Sequence, residues 1–224
     1  MDQYRVFGNP IKQSRSPAIH QIFAQQTQQQ LNYQSEYVEV KNFEKTISDF
    51  VESGAKGANI TLPFKERAME LCHQLTDRAK LAGAVNTLTF IDGQIFGDNT
   101  DGEGLVKDLL NNDINLKNSR ILILGAGGAA KGVILPLLAH EPEKIVIANR
   151  TVSKAEDLIT KFNNDKLSAT GFNDLDEGEF TLIVNATSAS LSGTFPAIPK
   201  ALVANAYCYD MVYGNDLTPF LLWA

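Results

Sequence analysis

Residues 120–132 read RILILGAGGAAKG, and no other stretch limits the possible fold so tightly. A continuous apolar run is the pattern of a strand buried on both faces. The glycines mark a sharp turn, and apolar residues at 130, 133, 134, 137 and 138 then repeat with helical spacing. Pro136 would clash with the carbonyl four residues earlier, but that residue is Gly132, which leaves room for a local bend. KIVIAN (144–149) supplies a second strand and a helix starts at Val152, giving βαβα. Further strands are expected at 181–185 and 207–211.

A glycine turn between a strand and a helix is the context a dinucleotide fingerprint requires. In Gly125-Ala126-Gly127-Gly128-Ala129-Ala130, Gly125 permits the tight turn and Gly127 lets backbone approach a pyrophosphate. Ala130 takes the place of the third glycine. The helix N-terminus then offers free N–H groups to phosphate. At the end of the second strand, NAD enzymes usually carry an acid that bonds the ribose hydroxyls. This chain has Asn149-Arg150-Thr151 instead, with Lys154 one turn later. Arg150 suits a 2′-phosphate, assisted by Asn149 and Thr151, so the expected cofactor is NADP. Thr151 is also placed to cap the helix, and the two roles are compatible.

The first half alternates strands and helices, which implies a mostly parallel sheet with helices on both faces. Strands are expected at 4–8, 33–40, 58–61 and 84–91, and helices at 43–52 and 64–75. Another helix opens at Ser16-Pro17, with Ser16 as N-cap and Pro17 at the first helical position. GDNTDGEG (97–104) reads as a turn, and the domain boundary is expected just after Asp101, giving domains 1–101 and 102–224.

A net charge of −6 provides no basic excess to bind nucleic acid or an anionic membrane. No apolar run is long enough to span a bilayer, and the N-terminus lacks signal-peptide character. Cys72 and Cys208 read as reduced cytoplasmic thiols. His20, His73 and His140 show no metal-ligand spacing, so no metal is expected.

One lysine is oddly placed. In GANITLPFKERA, Lys65 stands at the start of a helix, where the macrodipole disfavours a cation. Other polar residues in this half suit a small ligand. Ser14 and Ser16 offer two hydroxyls to a carboxylate at a helix start, although Ser16 also serves as a plain cap. Asn59 and Thr61 share one face of a strand. Asn86 is either a ligand contact or a turn anchor. Asn99-Thr100-Asp101 lies at the expected boundary, where clefts usually form.

GNPIKQSRSPAIH, GANITLPFKE, LAGAVNTL, GDNTDGEGL, GAGGAAKGV, ANRT and YDMVYGNDLTPFL occur in order across nearly the whole chain. Together they resemble the shikimate dehydrogenases, which reduce 3-dehydroshikimate with NADPH in aromatic amino-acid biosynthesis by way of chorismate. The resemblance implies an α/β protein of two domains: an N-terminal mixed/parallel substrate domain and a Rossmann-type, doubly wound NADP domain. It implies that Lys65 and Asp101 are the catalytic pair, and that Ser14, Ser16, Asn59, Thr61, Asn86 and Tyr213 surround the substrate. On the cofactor side it points to residues 125–130, Asn149 to Lys154, Met211 and Asp77. The expected state is a monomer or homodimer, a choice the sequence leaves open. Hydride arriving at a ketone carbon leaves an alkoxide, and an ammonium group beside it supplies charge and a proton. That is a reason for Lys65 to stand where it does.

Two departures accompany the resemblance. Ser190 occupies a position where such proteins tend to carry glycine. The family also continues beyond LLWA with a strand, a glycine turn and helices that supply a substrate-binding glutamine. The expectation is therefore an exposed sheet edge in the second half and no residue here for the glutamine's role. Rival readings are a quinate/shikimate dehydrogenase and an NADP-binding module without turnover. A folate-linked methylene dehydrogenase fits LPFKE and GDNTDG poorly.

Overall fold

A computed structural model describes every residue except Glu177 and Asn215. The chain forms two compact units, Met1–Thr100 and Asp101–Ala224. Asp101 thus opens the second unit, whereas the sequence reading put it at the end of the first.

Unit 1 is built from β1 (Asp2–Gly8), α1 (Ser16–Thr27), β2 (Leu31–Tyr37), α2 (Phe43–Glu52), β3 (Gly57–Ile60), α3 (Lys65–Glu70), β4 (Gln74–Leu75), α4 (Asp77–Ala82), β5 (Thr87–Ile91) and β6 (Gln94–Asp98). The sheet order is β2-β1-β3-β5-β6-β4. β1 runs parallel to β2 and β3, but β5 is antiparallel to both β3 and β6. The expected mostly parallel sheet is therefore mixed. Asp92 and Gly93, at φ 50° and 75°, turn β5 back into β6 as a hairpin. An Asp-Gly pair between alternating strands is the sequence signal for that turn. The helix expected over 64–75 stops at Glu70, because Gln74 and Leu75 are drawn into pairing with β6.

The core of unit 1 is aromatic on one side. Phe43 and Phe64 stack with ring centroids 4.4 Å apart, and Phe7 and Phe90 both meet Phe50 edge-on. Phe64 is fully buried and immediately precedes Lys65, so packing of the ring fixes where α3 begins.

Unit 2 contains α5 (Asp101–Asn111), β7 (Arg120–Leu124), α6 (Gly128–Leu138), β8 (Lys144–Ala148), α7 (Val152–Phe162), β9 (Leu167–Thr170), β10 (Leu182–Asn185), β11 (Tyr207–Asp210) and α8 (Pro219–Trp223). Its sheet, ordered β11-β10-β7-β8-β9, is parallel throughout. The order reverses between β7 and β10, the switch point where nucleotide sites form in open α/β sheets. β11 lies at an edge. Pro136 sits inside α6 and cannot donate to the Gly132 carbonyl. Gly102 of α5 approaches that same carbonyl so closely that an added Cβ would lie 2.2 Å from it.

Candidate active site

In unit 1 the polar residues singled out from sequence converge through hydrogen bonds. Asn86 follows Val85, whose N–H donates to the Lys65 carbonyl at 2.8 Å, and the Asn86 carbonyl accepts from Ile60 at 2.8 Å. The loop before β5 is thereby tied to both α3 and β3. Asn86 is buried, and its side-chain oxygen accepts from the Thr100 N–H at 3.0 Å and the Thr87 hydroxyl at 2.8 Å. Its amide nitrogen donates to Thr100 Oγ1 at 3.1 Å. Asn86 therefore anchors the residue bonded to Asp101.

Asn59 is equally engaged. Its Oδ1 accepts the Tyr33 phenol at 2.6 Å, while Nδ2 donates to the Asn86 carbonyl and Thr87 Oγ1, both at 3.3 Å. Thr61 is half-buried and its backbone N–H donates to Phe7 at 3.0 Å. Ser16 is the first residue of α1 and not its cap. Its N–H donates to Ser14 Oγ at 3.3 Å, and Arg15 holds the cap position without a cap hydrogen bond from its own side chain. The expected Ser16 cap is replaced because Ser14 reaches the first free N–H from two residues upstream. Lys65, half-buried, begins α3.

The strand end beneath this cluster is held by Asp98. Arg78 grips it with two hydrogen bonds, at 2.7 and 2.5 Å, and Thr76 Oγ1 and the Asn99 N–H donate at 2.6 and 2.7 Å. Arg78 above all draws the Asp98 carboxyl down to about 2. Buried Asn99 donates to the Ala84 carbonyl at 3.1 Å. Asp77, in the first turn of α4, is exposed and pairs with Lys80 at 3.1 Å.

In unit 2 the glycine turn has the geometry its sequence calls for. Gly125 has φ +107°, a conformation side chains resist, and an added Cβ would lie 3.0 Å from Thr187 Cγ2 at the end of β10. Gly127 stands at the cap position of α6 with no side-chain cap, and a Cβ at Gly127 or Gly128 would meet open space. Ala126 and Ala130 are buried, and Ala129 packs against the same core. Exposed backbone at a helix start, with nothing covering it in this unit, fits a pyrophosphate.

Beyond β8, Asn149 Nδ2 donates to the Thr151 carbonyl at 2.8 Å and shapes the turn carrying exposed Arg150. Thr151 occupies the cap position of α7, yet its side chain makes no cap hydrogen bond. The capping role considered for it is not used. Lys154 is exposed one turn on. These residues fit the 2′-phosphate side of NADP.

At the ends of β10 and β11, Ser190 Oγ donates to Asp210 Oδ2 at 2.7 Å, and Thr218 Oγ1 donates to the same oxygen at 2.6 Å. Buried Ser190 is thus used where sequence reading saw only a departure from glycine. Met211 bonds the Asn185 carbonyl through its N–H at 3.0 Å, and Tyr213 is 70% exposed.

Residues 6–88 match the family described as the shikimate dehydrogenase substrate binding domain. Residues 105–196 match the one described as shikimate / quinate 5-dehydrogenase. A shikimate dehydrogenase (NADP(+)) of Colwellia psychrerythraea is 61% identical over the whole chain. The chain belongs to the shikimate dehydrogenase family. It spans 82% of that relative, and 83% of a Psychromonas ingrahamii shikimate dehydrogenase (NADP(+)) that is 54% identical across the whole chain. Among solved structures, an Ael1 enzyme from Pseudomonas putida matches with a TM-score of 0.95 and 43% identity. The match covers all of this chain and 83% of that one. A shikimate 5-dehydrogenase from Thermus thermophilus, in complex with NADP(H) and shikimate, matches with a TM-score of 0.88 and 30% identity over the same shares. The fold is the two-domain Rossmann-type fold of these shikimate dehydrogenases.

Sequence reasoning gives no role to Tyr33, Thr87 or Asp98, which hydrogen-bond Asn59 or Asn86. Thr87 and Asp98 lie within LAGAVNTL and GDNTDGEGL, but Tyr33 lies in none of the motif stretches. Thr100 does have a signal, through its place between Asn99 and Asp101.

Proposed function

We propose that this chain catalyses the reversible, NADPH-dependent reduction of 3-dehydroshikimate to shikimate in aromatic amino-acid biosynthesis. The carrying observation is the likeness along the whole of this chain to NADP-dependent shikimate dehydrogenases, one of them 61% identical, in a chain that keeps Lys65, Asp101 and the glycine turn. The residues assigned to the substrate are Ser14, Ser16, Asn59, Thr61, Asn86 and Tyr213. Those assigned to NADP are residues 125–130, Asn149, Arg150, Thr151, Lys154, Met211 and Asp77.

The cofactor, when bound, supplies hydride to the ketone carbon and is itself oxidised. Lys65 Nζ holds a proton and gives it to the ketone oxygen as negative charge develops there; solvent then returns a proton to the amine. Asp101 accepts a hydrogen bond from a substrate hydroxyl. Ser14 and Ser16 bind the substrate carboxylate, and Asn86 and Asn59 bond the ring hydroxyls.

The test is direct. Shikimate and NADP are mixed with the protein and absorbance of reduced nicotinamide is followed, with quinate and NAD in parallel. Absorbance should grow fastest with shikimate and NADP. No growth overturns the assignment, and a faster rate with quinate or NAD overturns the biosynthetic reading. Among the described residues no helix is long and apolar enough to cross a membrane. We place the protein in the cytoplasm, where its two free cysteines remain reduced. Sedimentation of the purified protein distinguishes one chain from a homodimer.

A further inference from the structure

Tyr33 lies on β2, an edge strand of the unit 1 sheet, and nothing in the motifs draws attention to it. Its phenol crosses β1 to donate to Asn59 Oδ1 at 2.6 Å. Nδ2 of the same amide donates to the Asn86 carbonyl, which can only accept, and this sets which way round the amide sits; the Tyr33 bond then holds Oδ1 at the other end. The other face of the tyrosine is covered. The His20 ring lies flat on it, with centroids 4.0 Å apart and planes within 5°. His20 belongs to α1, the helix that begins at Ser16.

Burial raises the Tyr33 pKa, an effect partly offset by the neighbouring Ser16 side chain. Burial lowers that of His20, and Asn59 opposes the drop. A neutral phenol that cannot readily ionise remains a donor, which its bond to Asn59 requires. Tyr33 thus links two elements, α1 with Ser16 and β3 with Asn59, that carry residues on the substrate side.

We propose that Tyr33, backed by the stacked His20 ring, is a positioning residue that fixes the Asn59 amide and the seat of Ser16 for a polyhydroxylated ring acid. The inference rests on the substrate-side reading given under Proposed function. Loss of the phenol removes the hydrogen bond that holds the Asn59 oxygen, while the bonds of Nδ2 stay in place.

The experiment is steady-state kinetics on the full chain, varying shikimate and NADP separately, with thermal midpoints recorded beside them. Tyr33→Phe is expected to raise the KM for shikimate about tenfold, the equivalent of one lost hydrogen bond, and to leave the KM for NADP within about twofold. His20→Ala should move the shikimate KM in the same direction, and His20→Phe, which restores a flat ring, should recover most of that loss. A merely structural role would lower the thermal midpoint and leave the ratio of the two KM values alone, and that result overturns the inference. An unchanged shikimate KM in Tyr33→Phe, beside an active wild type, overturns it while sparing the functional reading. A wild type that neither binds nor turns over shikimate overturns both.

Discussion

The two units prepare for their ligands in opposite ways. In unit 1 the side chains assigned to the substrate are already committed to one another: Asn59 to Tyr33 and Thr87, Asn86 to Thr87 and Thr100, and Ser14 to the start of α1. In unit 2 the nucleotide turn is prepared by omission. Gly127 and Gly128 leave space beside a helix start, and Thr151 withholds its hydroxyl from the cap it stands at. A ring with several hydroxyls needs fixed donors and acceptors, whereas a pyrophosphate needs close, unobstructed backbone.

The sharpest way to break this contrast is at the chemistry. Lys65→Ala should lower kcat by about 10²–10⁴-fold, with a far smaller change in shikimate affinity measured by calorimetry. Equal turnover in variant and wild type would remove Lys65 from the mechanism. Next in size, Arg150→Ala should raise the KM for NADP about tenfold or more, as expected for a charge-assisted contact to phosphate. The KM for NAD should barely move; a parallel rise in both would show that Arg150 serves the turn and not the phosphate.

Two glycines on α5 test close packing within unit 2. Gly102→Ala drives a Cβ onto the Gly132 carbonyl and should destabilise by about 1–3 kcal/mol in urea unfolding. Gly104→Ala, where a Cβ meets nothing, should stabilise by up to about 1 kcal/mol through helix propensity. Matching effects at both positions would refute the close approach.

Asp98 tests the rigidity of unit 1 through pH. Its carboxyl titrates near 2 in the folded chain, below the ordinary 3.8, so the folded state favours the charged form. That stability is complete above about pH 4 and is lost as pH falls toward 2. Allowing for partial exposure of both partners, about 1–2 kcal/mol is at stake. Asp98→Asn should cost that amount at pH 7 and flatten the acid limb of the stability curve. An acid limb unchanged in the variant would dissociate the pair from stability.

How far the sequence could be read differs between the units for the same reason. Unit 2 obeys local rules: an apolar strand, a glycine forced to positive φ, and a helix start follow one another within about a dozen residues, and each is recognisable alone. Unit 1 depends on partners far apart in the chain. The antiparallel β5 was missed although Asp92-Gly93 signalled the hairpin, because alternation of strands and helices suggested parallel crossovers. The 64–75 helix was overextended, since nothing local says that Gln74 and Leu75 will join β6 more than 20 residues away. Ser16 reads as a cap because serine before proline usually is one, whereas in the fold Ser14 is the better-placed oxygen.

By itself, the sequence determined the nucleotide turn, the arginine in place of a ribose-binding acid, and the presence of a lysine where a helix would rather not have one. These rest on backbone conformation and charge over a few neighbouring positions, which residue type alone dictates. The tertiary structure decided that the hairpin inverts β5, that Asp98 rather than an adjacent residue braces the strand end, and that Tyr33 and His20 stand behind Asn59. Such choices depend on which strands lie side by side and in what register, and long-range packing sets those.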